Sequence, residues 1–282
     1  MTARIDLHLH TLASDGKFSP EAIVDKAAGL GLSVIAICDH DTVNGIAAAL
    51  KAAAHTGLKV IPGVELSTHA PGSEVHMLGY FVDHTDPGLK KALAGLRNSR
   101  RERAQAMIAR LEGLGIHIDW QRVQQIAGAG SVGRPHIAQA ILEKGYVASF
   151  KEVFTSYLGF GGPAYVERHK MTPQEAIALI IKAGGLPVLA HPTTVSDPEK
   201  MIAELKAAGL VGIEVYYNNY TDEQRNGLAR LAAKYGLIAT GGSDYHGLSE
   251  DETMLGEANV PPQSAEQLIA RRQQPAAKPA RH

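Results

Sequence analysis

Cysteine is nearly missing: Cys38 stands alone among 282 residues. That excludes an intrachain disulfide framework and a zinc cluster built from thiolates. Charge of one sign is missing too, because 28 Lys and Arg nearly cancel 29 Asp and Glu. The balance excludes a disordered polyelectrolyte and a strongly basic nucleic-acid coat. No run approaches the roughly 18 apolar residues of a membrane span. The start, Met1-Thr2-Ala3-Arg4-Ile5-Asp6, turns acidic and His-rich at once and does not read as a signal peptide. A cytoplasmic protein with no membrane partner and no obligate protein partner is expected. Aromatics are scarce, at 5%. Phe160, Tyr165 and Tyr216 are the candidates for stacking on a flat ligand, with packing as their commoner role. Apolar residues, by contrast, reach 45% and can fill a sizeable core. The length suits a single α/β barrel, or one domain with an insertion, as well as two domains.

Short Val- and Ile-rich runs alternate with amphipathic helical patterns. The runs are Ile5 to Leu9, Val34 to Cys38, Val60 to Val64, Val75 to Val82, Leu186 to Ala190, Val211 to Tyr217 and Leu237 to Thr240. Each is short enough for a strand. Helix starts are legible at Ser19-Pro20, Thr172-Pro173 with Glu175 completing a capping box, Asp197-Pro198 and Thr221-Asp222. The alternation predicts a parallel sheet with helices outside, open or closed into a barrel. Residues 87–168 break the rhythm with four helical patterns, Leu89 to Gly113, Asp119 to Ala127, Ser131 to Lys144 and Phe150 to Leu158. They read as an all-helical insertion between the fourth and fifth strands. The expected division is therefore 1–86 and 169–270 for the barrel, 87–168 for the helical subdomain and 271–282 for a flexible tail.

The 13 histidines are the informative feature. His8 and His10, two apart, point to one side of a strand. Asp15 follows in the first loop, and His40 lies in Asp39-His40-Asp41 after the second strand. Glu65 ends the third strand, His76 lies in the fourth, His191 ends the fifth, and Asp244 and His246 follow the seventh. One strand histidine is commonly just a satisfied core residue. In α/β barrels that rim carries the active site, and six imidazoles and three carboxylates converging there would repel or stay unsatisfied without cations. Mixed nitrogen and oxygen donors suit Zn, Mn or Fe, with Mg or Ca less favoured. Nine donors suit two or three ions with a shared carboxylate. His55, His69, His84, His117, His169 and His282 fall in predicted helix ends, loops or the tail and read as surface residues. Cys38 reads as a small buried strand residue.

Asp6-Leu7-His8-Leu9-His10-Thr11 with Ser14-Asp15-Gly16 resembles the first motif of the polymerase-and-histidinol-phosphatase (PHP) family. The resemblance continues through Asp39-His40-Asp41, Pro62-Gly63-Val64-Glu65, His76, Ala190-His191-Pro192 and Gly242-Ser243-Asp244-Tyr245-His246. It implies a distorted (β/α)7 barrel carrying a trinuclear centre, with manganese as the expected metal. By that resemblance one ion takes His8, His10, Glu65 and Asp244. A second shares Glu65 and takes His76 and His191, and a third takes Asp15, His40 and His246. Gly133-Arg134-Pro135-His136 is similar to a bacterial branch of phosphoesterases. That branch includes 3',5'-nucleoside bisphosphate 3'-phosphatases and 5'→3' exoribonucleases acting on short RNA.

The resemblance thus implies a phosphatase for a small nucleotide, with a metal-bridging hydroxide held by Glu65, Asp244 and His191. Alternatives are an exoribonuclease on short 5'-phosphorylated RNA, a histidinol-phosphate phosphatase and a non-catalytic metal-binding module. Arg134 and His136, near a helix start, suit an anion. Leu96, Arg100, Arg103, Met107 and Leu111 share one helical stripe, which turns two arginines of the 97–103 basic run toward the pocket. Arg101 in the same run and Lys17, two residues after Asp15, complete the candidate substrate contacts.

Overall fold

The computed structural model describes residues 4–70, 73–128, 132–167, 171–195, 197–217, 219–248 and 252–274. The apolar runs become strands β1 (Arg4–Leu9), β2 (Leu32–Ile37), β3 (Lys59–Ala70), β4 (Ser73–Tyr80), β5 (Leu186–Leu189), β6 (Gly212–Tyr217) and β7 (Ile238–Gly242). They lie side by side in chain order. The chain just past β7 then meets β1: Asp244 N donates to His8 O at 3.0 Å and His10 N to Tyr245 O at 3.1 Å. These bonds nearly close the sheet into a barrel.

The barrel is not all parallel, as the strand–helix alternation predicts. β4 runs antiparallel to both β3 and β5. The reason is arithmetic. A parallel crossover needs a dozen or more residues, while only Pro71 and Gly72 separate β3 from β4. β3 also extends past Val64 to Ala70, pairing from Gly63 opposite Tyr80 to Ala70 opposite Ser73. Glu65, Ser67 and His69 thereby share a face with Glu74 and His76 across the hairpin. His69 lies in this strand, not in a loop, with Nε2 3.0 Å from Glu167.

Helices α1 (Pro20–Gly29), α2 (Ile46–Ala53), α7 (Pro173–Lys182), α8 (Pro198–Ala208) and α9 (Asp222–Tyr235) coat the strands. Their starts follow the sequence: Ser19, Thr172, Asp197 and Thr221 each accept a backbone N–H of the first turn. The coat is hydrophobic. Ile23, Val24 and Ala49 pack on Ile35 and Ile37, and Ile177, Ile180 and Ile202 pack on Leu66, Met77 and Ile213. Helix α10 (Pro262–Gln273) covers Ile5 and Leu7 with Ala265 and Leu268. Arg271 to Gln273 finish that helix instead of opening a tail; residues 275–282 lie outside the described set.

Between β4 and β5 come α3 (Pro87–Gly113), α4 (Trp120–Ala127), α5 (Arg134–Glu143) and α6 (Phe150–Val153), the last continued by a π-helical turn at Phe154–Leu158. α5 begins at Arg134, later than the pattern predicts, because Gly133 is its extended N-cap and Pro135 fits the first turn. α3 serves two cores. Leu89, Leu93 and Leu96 pack into the barrel cluster, whereas Ala104, Met107 and Leu111 pack with Val123, Ile137 and Leu158 of the helical segment. Arg100 and Arg103 sit at the seam. Among the described residues no helix is long and apolar enough to cross a membrane.

Candidate metal centre and anion pocket

His8 and His10 lie on one face of β1, both fully buried. Asp6, two residues earlier, accepts the N–H groups of His8 at 3.3 Å, Ser243 at 3.0 Å and Gly256 at 2.8 Å. It thereby ties β1 to the loop that carries Asp244 and His246. Gly242 stands where that loop crosses β1, and a Cβ there would run into His8 Cβ and come within 2.9 Å of the Asp6 carboxylate. Asp39 does the same for the first loop, accepting Thr11 N, Thr11 Oγ1 and Ser14 Oγ at 2.7 Å each. Asp15 is fixed as a result. Asp41, His191 and Asp244 adopt φ values of 53°, 28° and 56°. Such left-handed backbone is strained for residues with a Cβ and persists where the surroundings enforce it.

Glu65 is the hub. Its Oε2 lies 3.3 Å from His8 Nε2, 3.3 Å from His10 Nε2 and 3.1 Å from His40 Nδ1. Its Oε1 lies 2.7 Å from His76 Nδ1 and 3.1 Å from His191 Nε2. Donor atoms fall into three groups, each within 4.8 Å: His8, His10, Glu65 and Asp244; His10, Asp15, His40 and His246; and His40, Glu65 and His76. His10 and His40 thus each reach two groups, where the resemblance implies one apiece, and His191 adjoins the last group through Glu65.

The residues fit cations. His10 Nδ1 and Nε2, Asp15 Oδ1, His40 Nδ1, His76 Nε2, His191 Nδ1 and Asp244 Oδ1 are buried without a hydrogen bond among the described residues. His10 Nε2 stands 2.9 Å from Asp244 Oδ1 yet is not aligned to donate to it. Buried polar atoms are normally paired. Converging imidazole and carboxylate lone pairs of this kind are the donor set of Zn, Mn or Fe.

Electrostatics follow from the crowding. Burial opposes ionisation of Glu65, but His40, His76 and His8 hold its carboxyl well below the usual range. Burial likewise opposes Asp15 and Asp244, and neighbouring imidazoles pull both down. His76 is raised to about 9 against its burial, chiefly by Glu65. His246 is raised to about 10, chiefly by Asp15. Burial drives His40 the other way, to about 3.

Glu214 escapes the strand-end pattern. It sits mid-strand in β6, wholly buried, with Oε1 3.0 Å from His8 Nδ1 and Oε2 accepting His191 N at 2.8 Å. A partner on the far ring nitrogen fixes which nitrogen a ligand histidine presents. The signal was available: a glutamate inside the apolar run Val211 to Tyr217 needs a reason. Tyr217 was missed as well, and its hydroxyl donates to Asp244 Oδ2 at 3.0 Å. Glu252 accepts His246 N and steadies that loop.

Between barrel and helical segment lies a cavity of about 130 Å³. Its lining combines Asp15, His40, His76 and His246 of the ligand set with Arg100, Arg103 and Arg134, and Glu74 stands among the arginines. Arg100 donates to Asp41 and Ser67. Arg134 reaches Glu74 Oε2 at 2.8 Å, and Arg103 approaches Glu74 Oε1 at 3.6 Å. Arg103 NH2 is buried with no hydrogen bond among the described residues. Gly133 comes so close that a Cβ would stand 3.5 Å from Arg100 NH1 and 3.7 Å from Asp15 Oδ2. A second, more open cleft of about 400 Å³ lies on the other side of His40 and His76, reaching Tyr217 and Tyr220.

Three candidate contacts are placed elsewhere. Arg101 is exposed and covers the Trp120 ring at 5.7 Å, one position off the inward stripe. Lys17 is exposed, its ammonium 6.0 Å from the Phe18 ring, and only its backbone meets His246. His136 is buried, and its Nδ1 accepts Gly133 N at 2.9 Å, so it caps α5. Of the proposed stacking residues, Tyr165 is buried under Arg103 at 5.1 Å.

Comparison with known proteins agrees with this geometry. The PHP domain family matches residues 6–167, more than half of the chain. The chain is 34% identical over 266 residues to a 3',5'-nucleoside bisphosphate phosphatase from Chromobacterium violaceum, covering 92% of this chain and 93% of that protein. It is 37% identical over 250 residues to a 5'-3' exoribonuclease from Haemophilus influenzae, covering 87% and 91%. It is 32% identical over 250 residues to a phosphoribosyl 1,2-cyclic phosphate 1,2-diphosphodiesterase from Eggerthella lenta, covering 86% and 94%. Among solved structures, one assigned as a metal-dependent phosphoesterase from Bifidobacterium adolescentis superposes with a TM-score of 0.88 at 31% identity, covering 96% and 97%. A barrel of this topology, a Glu65-centred ligand set and full-length relatives of this kind place the chain in the PHP family of metal-dependent phosphoesterases.

Proposed function

We propose that the enzyme removes the 3'-phosphate from nucleoside 3',5'-bisphosphates, releasing a nucleoside 5'-phosphate and inorganic phosphate in the cytoplasm. The observation that carries this reading is the shared cavity: Arg100, Arg103 and Arg134 line it together with members of the metal-ligand set, within about 130 Å³. Two anion sites so close suit one small molecule with two phosphates. The Chromobacterium relative's activity supports the choice.

His8, His10, Asp15, His40, Glu65, His76, His191, Asp244 and His246 would hold two or three divalent ions, with manganese as our choice. Bound there, such ions supply water activation near neutral pH and neutralise phosphoryl charge. The chain's own residues do the rest. Arg103 and Arg134, with Arg100 behind them, grip the 5'-phosphate by charge-assisted hydrogen bonds. Glu65, Asp244 and His191 hold the attacking water in line with the scissile bond. The phosphorus–O3' bond breaks, and O3' takes up a proton. Glu214 and Tyr217 keep the ligands aimed.

The test is phosphate release, with Mn supplied, from adenosine 3',5'-bisphosphate, 3'-AMP, 5'-AMP, histidinol phosphate and a short 5'-phosphorylated RNA. The expected result is fast release from the bisphosphate, leaving 5'-AMP. Turnover of histidinol phosphate with the nucleotides untouched would overturn the reading. Metal bound without turnover of any compound would favour the non-catalytic module. The exoribonuclease reading is second, favoured by the open cleft beyond the ligand set and by the Haemophilus relative.

A further inference from the structure

We infer that Glu74 is a resident counter-anion of the arginine pocket, competing with the 5'-phosphate for Arg103 and Arg134 and so keeping the enzyme from holding its own product. The inference rests on the proposed function, because the rival anion is the 5'-phosphate. Hydrolysis at the 3' position leaves that phosphate unchanged. Substrate and nucleoside 5'-phosphate product therefore carry the same group to the same arginines. A pocket that grips one grips the other.

Strand alternation in β4 puts Glu74 on the face of His76, two residues on. Glu74 Oε2 accepts from Arg134 NH2 at 2.8 Å. Its Oε1 lies 3.6 Å from Arg103 NH1 and 3.8 Å from His76 Nε2. A carboxylate thus already sits on the two guanidiniums assigned to the phosphate. Each arginine still has N–H groups to offer. Arg103 spends Nε on Val166 O at 2.7 Å, while its NH2 is buried with no hydrogen bond among the described residues. Arg134 NH1 meets Leu158 O at a long 3.4 Å. A phosphate brings three strong acceptor oxygens and satisfies such a pair of forks better than one carboxylate does.

The Glu74–Arg134 pair can open. Its side chains keep 17% and 24% of their surface exposed, so parting them strands neither charge away from water. Arg100 is different. Its partner Asp41 is wholly buried and also accepts Ser67 N at 3.1 Å. Breaking that pair would leave a buried charge uncompensated, so Arg100 is the fixed cation of the pocket. Arg103 and Arg134 are the ones that exchange partners. A phosphate entering the cavity of about 130 Å³ meets Glu74 as a like charge at close range, which weakens its binding.

The experiment measures the Kd of 5'-AMP for the Mn-loaded full chain by calorimetry, with adenosine as the phosphate-free control. The Ki of 5'-AMP against hydrolysis of adenosine 3',5'-bisphosphate is read alongside. Glu74→Gln keeps the shape and an oxygen for Arg134 but removes the charge. It should bind 5'-AMP about tenfold more tightly, with Ki falling in step. Glu74→Asp keeps the charge and should stay close to the unaltered value. With Arg134→Ala added, the gain from Glu74→Gln should shrink, because the contested cation is gone. Unchanged or weaker binding in Glu74→Gln would overturn the inference, since a carboxylate that merely props the arginines in place gives a higher Kd when it is lost. A gain undiminished by Arg134→Ala would overturn it too, placing the effect at His76 instead. An unaltered enzyme that binds 5'-AMP no better than adenosine would strike the proposed function, and the inference with it.

Discussion

Replacing Glu214 by glutamine should loosen metal binding without touching a ligand. The glutamate is wholly buried and divides its oxygens between His8 Nδ1 at 3.0 Å and His191 N at 2.8 Å. Glutamine keeps the shape but has one accepting oxygen, so one of the two bonds is lost and an amide NH2 faces a donor. A hydrogen bond to a charged group contributes about 1.5–3 kcal/mol. Outer partners of ligand histidines typically set metal affinity by about 10–100-fold, or about 1.4–2.7 kcal/mol. Alanine is less informative, because it leaves both donors unpaired and threatens folding itself. The assay is metal content after equilibration against a series of buffered Mn concentrations, paired with kcat at each. The midpoint should move upward by about 10–100-fold, and saturating Mn should restore most of the activity. A glutamine variant that fills at the wild-type Mn concentration would refute the claim that Glu214 positions His8 and His191.

Further outcomes follow from the same geometry. Arg134→Ala should reduce kcat/KM for the bisphosphate by about 10–100-fold relative to 3'-AMP, while metal content stays unchanged; equal losses on both would remove Arg134 from the 5'-phosphate site. His76 at about 9 and His246 at about 10 are protonated at pH 7.5 in the metal-free protein. Raised values mean protons still held at that pH, so metal binding must release them. Calorimetric titration with Mn in two buffers of different ionisation enthalpy should give different apparent heats, and identical heats would contradict the assignment. Gly242→Ala drives a Cβ into His8 and toward Asp6. It should cost about 1–3 kcal/mol, read as a lower thermal midpoint, together with weaker metal binding.

Much of the site could be read because ligand chemistry and barrel topology leave the same mark on a sequence. His8-x-His10 and Asp244-x-His246 are local patterns at strand ends, and their convergence follows once the sheet curls. The stripe from Leu96 to Leu111 placed Arg100 and Arg103 at the cavity because helical spacing is a reliable ruler. Arg101 fails that ruler by one residue, and the Trp120 ring takes it. Groups that act through a third dimension were harder. Asp6 and Asp39 bind backbone N–H groups of loops far away in sequence, which no local pattern encodes. The antiparallel β4 was hidden because the apolar run ends at Val64 while the strand continues through polar residues to Ala70, leaving only Pro71 and Gly72 before β4.

The meeting of β1 with the chain past β7 has a consequence for synthesis. His8 and His10 emerge first, and the Asp244 and His246 that complete their donor groups emerge near the end. Asp6 likewise waits for Ser243 and Gly256. A chain ended before Asp244 lacks the residues that bond back to His8 and His10 and complete their donor groups. Assembly of the metal centre therefore depends on both ends of the barrel, and its ligand set is complete only after translation has passed His246.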